Sequence, residues 1–160
     1  MFSQTVINQA LPASIPGTDV DPQIVVKPEK GFDFASIVIV PPGTSSANVV
    51  ASVLAKYELP ARPSTSPAVG GDVRRFSSFQ AAIRIKKSDS DTGGPVTIAS
   101  GASAPAVILV PLTAGASEVG IRLKSAGAAQ AGFRYSVIGV PSDAHALTLD
   151  ALRAYLSVSS

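Results

Sequence analysis

The chain reads as an all-β protein, an antiparallel β-sandwich or jelly roll of about eight to nine short strands. Three observations predict this. Short β-branched runs recur, with turn signals at roughly 8 to 12 residue spacing. Three of those runs end in Val-Pro, at residues 40–41, 110–111 and 140–141. Nowhere does a strand pattern alternate with a helical one, as a parallel α/β sheet requires.

In chain order, Thr5 to Ala10 fits a short strand. Residues 11–22 follow with three prolines, one glycine and two aspartates, which block regular structure and leave an extended N-terminal arm over residues 1–22. Gln23 to Lys27 is a second short strand, and Pro28-Glu-Lys-Gly31 turns into the central unit. That unit runs from Phe34 to Leu59: an apolar run to Val40, the stop Pro41-Pro42-Gly43, then a second β-rich run from Asn48. Residues 60–72, rich in Pro, Ser and Gly, are expected as the longest loop.

From Phe79 onward the alternation puts Phe79, Ala81, Ile83 and Ile85 on one face and Gln80, Ala82, Arg84 and Lys86 on the other, a half-exposed strand within residues 76–87. Short strands are then expected at 95–99, 106–112, 118–124 and 133–140, with a turn at 88–94. The β-domain spans residues 23–146, and residues 147–160 form a C-terminal helix and tail. Thr148 caps that helix, and Leu149, Leu152 and Leu156 recur at i, i+3 and i+7. A helix of two or three turns is marginal alone, so its leucine stripe must dock on the β-domain or on a neighbouring subunit.

Composition excludes several functions. The 160 residues contain no Cys, which removes disulfides, thiolate catalysis and thiolate metal sites. Charged residues make up 15% against a typical value of about 25%, while hydrophobic residues reach 46% and aromatic ones 6%. A neutral surface of small residues suits extensive subunit contact. The N-terminus lacks a basic region followed by an apolar run, so no secretory leader is expected. The longest apolar runs fall short of the roughly 20 residues that span a bilayer.

No reactive constellation stands out. His145 is the single histidine, and Ser142 and Asp143 are too close to it in sequence to complete a catalytic triad. Asp89-Ser-Asp-Thr-Gly-Gly94 carries the carboxylate alternation of a calcium loop but not its third ligand or closing Glu, so a turn is expected there. The net charge of +2 is too small to argue for nucleic acid. Arg84, Lys86, Arg122, Lys124 and Arg134 form one basic sheet face if their strands are neighbours. No aromatic platforms are interleaved with them, which makes nucleic acid an improbable ligand. Neither cofactor nor metal is expected, and no enzyme activity.

Together, the Pro-rich stretch at 11–22, the small-residue β-core with its Val-Pro strand ends, the lack of Cys and the missing leader resemble the small β-sandwich structural proteins of bacterial viruses, such as head decoration (cement) proteins. The resemblance covers the whole chain and rests on no position-by-position motif, so no functional residue is carried over. It implies a homo-oligomer, often a trimer, that sits on a capsid in the virion and bridges neighbouring subunits. Leu11, Pro12, Ile15 and Pro16 of the arm and Leu149, Leu152 and Leu156 of the helix are the expected interface. The alternative expectation is a receptor-binding or adhesive domain that recognises a surface glycan or protein through loops 60–72 and 88–94.

Overall fold

A computed structural model describes residues 1–63, 72–112 and 115–142. The described chain is all-β and antiparallel, with eleven strands. They are β1 (Val6–Ala10), β2 (Ile24–Val26), β3 (Phe32–Val40), β4 (Val49–Lys56), β5 (Glu58–Pro63), β6 (Asp72–Phe76), β7 (Gln80–Ala81), β8 (Val96–Ile98), β9 (Ala106–Pro111), β10 (Glu118–Ser125) and β11 (Arg134–Pro141). The C-terminal helix expected over 147–160, with Leu149, Leu152 and Leu156, lies outside the described residues, as does His145.

One sheet has the order β1-β11-β3-β9. The second runs β2-β10-β4, and the free edge of β4 is shared by β8, opposite Val49–Ala51, and β7, opposite Leu54 and Ala55. The chain passes from one sheet to the other after β1, β2, β3, β8, β9 and β10, so each sheet is built from strands distant in sequence.

Alternation then decides what is inside. Successive side chains of a strand point to opposite faces, and Ala35, Ile37 and Ile39 of β3 are fully buried while Ser36 and Val38 between them are not. On the second sheet the positions buried toward the core are Val49, Ala51, Val53 and Ala55 of β4 and Val119, Ile121 and Leu123 of β10. These residues, with Ile24, Val26, Ile98, Ile108, Val110, Phe133 and Val137, form one apolar cluster to which both sheets contribute, while Leu54 of β4 is also buried but lies outside that cluster.

Residues 1–22 run over the body and are tied into it at several points. Phe2 is buried against Gly139, where an added Cβ would come within 2.5 Å of the ring, so only glycine permits that approach. The Ser3 amide donates to Glu29 (2.9 Å), and β1 pairs with β11. Ile15 is buried and exchanges backbone hydrogen bonds with Gln130 (2.7 and 3.0 Å).

Gln130 is itself buried, and its amide is satisfied: Oε1 accepts from the Ser46 amide (2.9 Å), and Nε2 donates to Ser46 Oγ (3.1 Å) and the Ala128 carbonyl (2.9 Å). The Gln130 side chain thereby joins the loop before β4 to its own loop before β11, while its backbone holds the segment at Ile15.

Two expectations change at the edges of the sheets. The region 48–59 breaks at Tyr57 into β4 and β5, and β5 folds back on β6, so most of the expected loop at 60–72 is flanked by a paired hairpin. The expected strand within 76–87 shrinks to Gln80–Ala81. Its inward face is also reversed, because Ala82 packs on the core whereas Ala81 is exposed and Ile83 is 68% exposed.

The physical reason is a change of partner. The Ala82 amide donates to Val53 of β4 (2.8 Å), and the Ile85 amide donates to Leu109 of β9 (2.9 Å), so this segment crosses from one sheet edge to the other. A strand cannot keep a single face toward the core while it turns between two sheets.

The network around Gln130 generates a test. Replacing Gln130→Leu removes the acceptor of the Ser46 amide and one of the two donors to the Ala128 carbonyl, which keeps the Ser125 hydroxyl (2.6 Å), and should cost about 2 kcal/mol. Urea denaturation checks this, with a fall in midpoint at unchanged slope.

Candidate interaction surface

The strands β5 and β6 pair with each other and with neither main sheet. They form a hairpin that projects from the end of β4. Its base is closed by a clasp: the Tyr57 amide donates to Ser77 Oγ (2.9 Å), and the Ser77 amide donates to the Tyr57 carbonyl (2.8 Å). The Lys56 ammonium lies 5.6 Å from the ring centroids of both Phe76 and Phe79, and the Arg74 guanidinium lies 5.5 Å from that of Phe76. Cations above aromatic faces are attracted by the ring quadrupole. Along the hairpin, Arg74 Nε donates to Glu58 Oε1 (2.8 Å) and Arg75 grips the Pro60 carbonyl through Nε (3.0 Å) and Nη2 (2.7 Å). The Arg74 contact holds the Glu58 carboxyl below its ordinary range and raises the guanidinium of Arg74.

This hairpin also carries exposed apolar side chains: Leu59 (39%), Val73 (36%) and Phe76 (44%). An isolated two-stranded hairpin is marginal in water. Here the clasp and the arginine contacts hold the backbone while the apolar residues stay available to a partner. Sequence alternation does not reveal the hairpin, because its prolines mask the strand pattern; the run Asp72-Val-Arg-Arg-Phe76 is the usable signal.

The expected arm residues occupy mixed positions. Pro12 is exposed, Leu11 and Pro16 are half-buried, and Ile15 lies inside this chain's own core, so its side chain is not on the surface.

The expected basic face is divided. Arg122 and Lys124 stand on the outer side of β10, where Asp19 meets both at 3.9 and 3.1 Å; the Lys124 contact first, then Arg122, lowers the Asp19 carboxyl. Arg134 belongs to the other sheet. It binds Asn8 through the side-chain oxygen (2.9 Å) and the carbonyl, and so holds a bulge in β1 where Asn8 adopts a positive φ of 49°. Arg84 is occupied by Asp91, and Lys86 sits in the same crossing segment. These five residues therefore form no single stripe, because β10 and β11 lie in different sheets.

Asp91 explains the turn at 88–94. One carboxylate oxygen accepts from Arg84 Nη2 (2.7 Å) and the Gly93 amide (2.9 Å); the other lies 2.7 Å from Arg84 Nη1 and accepts from the Lys87 amide (3.0 Å). The Arg84 contact, followed by the two amides, holds this carboxyl far below the usual aspartate range. Gly93 has φ 73°, and a Cβ there would meet Ile83 at 2.7 Å, so the turn closes only with glycine. Asp89 is exposed. Among the described residues, no three His, Cys, Asp or Glu side chains gather as metal ligands. No described helix is long and apolar enough to cross a membrane.

Comparison with known proteins finds no matching family model, no matching curated protein and no matching solved structure. The surface thus has to be interpreted from its own geometry.

The Arg84–Asp91 pair predicts an acid-sensitive element. Because folding depresses the Asp91 pKa, its contribution is full above the ordinary aspartate value of about 4 and is lost as pH falls below it. Asp91→Asn should cost about 2 kcal/mol near neutral pH. In thermal melts the gap between the variant and the parent chain should narrow from about pH 5 to pH 2; a gap independent of pH would contradict this role.

Proposed function

We propose that this chain is a non-enzymatic structural protein of a viral particle, a capsid decoration or cement protein that associates as a homo-oligomer and stabilises the shell by bridging subunits. Its two sheets, with one core between them, we read as a β-sandwich. The projecting β5–β6 hairpin carries the proposal. It offers Leu59, Val73 and Phe76 to solvent on a backbone that is already ordered, so docking costs little conformational entropy.

Other features fit the same reading. Some charges on the body are matched in pairs, as with Lys56 and Glu118, and Asp19 with Lys124, which lowers the repulsion between approaching copies. Many modest interfaces repeated over a lattice sum to a large total stabilisation.

A receptor-binding or adhesive role is the second reading. The turn at 88–94 favours it: Asp91 locks that exposed loop from within, as suits recognition by a preformed surface.

The test removes the hairpin without disturbing the body. Residues 58–76 are replaced by Asn-Gly, which joins Tyr57 to Ser77 through a tight turn that keeps the clasp. In light scattering, the intact chain should be oligomeric, and the shortened chain monomeric with its thermal midpoint within a few degrees of the parent. An intact chain that stays monomeric and binds no capsid shell would overturn the proposal. Glycan binding lost on replacement of residues 88–94, with oligomer size unchanged, would favour the second reading.

A further inference from the structure

An apolar cavity of about 350 Å³ opens between the two sheets at one end of the body. Val53, Ala55 and Tyr57 line it from β4 and its extension, Ala116 and Val119 from the entry to β10, and Pro111 from the end of β9. Ala82 and Ile83 of the crossing segment form its lip. The lining is apolar apart from the Tyr57 hydroxyl, and Ile83 beside it is among the most exposed apolar side chains described. Apolar surface of this kind gains free energy when another apolar group covers it.

The topology indicates what covers it. β9 and β11 flank β3 on opposite sides and run in the same direction, so they finish at the same end: Pro111 pairs with Phe34 and Pro141 with Phe32. Two strand spacings, about 10 Å, separate them. Ser142 is fixed at this end, its amide donating to the Gly31 carbonyl (2.8 Å) and its hydroxyl to Asp33 (2.9 Å).

The chain therefore leaves the body at the same end as the cavity, about 10 Å from Pro111 in its lining. Residues 143–148 can bridge up to about 20 Å, and they deliver Leu149, Leu152 and Leu156, spaced as one apolar stripe. The sequence thus supplies an apolar segment within reach of an apolar cavity on the same chain, where tethering raises its local concentration to the millimolar range.

We propose that the leucine stripe of residues 149–156 seats in this cavity of its own chain, closing the space between the sheets. The inference does not depend on the particle reading. It assigns these leucines to intramolecular closure and leaves the hairpin as the surface for other copies.

The absence of cysteine makes a clean test possible. Ala82→Cys is combined in turn with Leu149→Cys, Leu152→Cys and Leu156→Cys in the full chain. Thr97→Cys, an exposed position on β8 beside the opposite end of β4, replaces Ala82→Cys as the control. Under mild oxidation in dilute solution, at least one Ala82 pair should form an intrachain disulfide, seen on non-reducing gels and by mass, at least tenfold faster than its Thr97 control. Equal rates overturn the proposal. So do disulfides found only between chains, which would place the stripe in a second copy. Independently, Leu152→Asp should lower the thermal midpoint by several degrees, and an unchanged midpoint counts against the seating.

Discussion

The two-residue period of β3 and β4 governs the rest of the molecule. Ala35, Ile37 and Ile39 face the same core as Val49, Ala51, Val53 and Ala55, and all of them are buried. A slip of one residue in β3 would turn Ser36 inward and push Ile37 into water, so the register of the whole first sheet is fixed by where its apolar residues must go. The small size of Ala35, Ala51 and Ala55 matters as much as the bulk of the isoleucines, because close-packed interiors leave no room for uniform large side chains.

The strands that obey this period were legible from sequence. The runs at 34–40, 106–112, 118–124 and 133–140 stand out in the sequence, and the strands that they become, β3, β9, β10 and β11, each have neighbours that cover their apolar faces. The edges were not legible. Phe79, Ile83 and Ile85 alternate as in a strand, yet their segment changes hydrogen-bond partner from β4 to β9 midway, and alternation carries no information about partners. The hairpin at 58–76 was hidden for the opposite reason: its prolines signal a loop, although Arg75 holds the Pro60 carbonyl in place.

The three Val-Pro endings, alike in sequence, do not end at one place: Pro111 and Pro141 share a rim, whereas Val40-Pro41 lies at the other end, because β3 runs antiparallel to both of its neighbours. Likewise, the basic residues looked contiguous only while their strands could be imagined side by side. Once β10 and β11 fall in separate sheets, each cation answers a local need: Arg134 holds the β1 bulge, Arg84 fastens a turn, and Arg122 and Lys124 hold Asp19 and with it the segment that leads into β2.

The clasp between Tyr57 and Ser77 has a mechanical meaning. Force applied to the hairpin passes through it into β4 on one side and, through Ser77 and Phe79, toward β7 on the other, and these two strands are hydrogen-bonded to each other. β4 is also paired with β10 along its length and with β8 near its start, so a pull on β5 and β6 is spread over both edges of a strand embedded in the core. A handle anchored in this way passes its load to a strand embedded in the core as well as to the short edge strand β7.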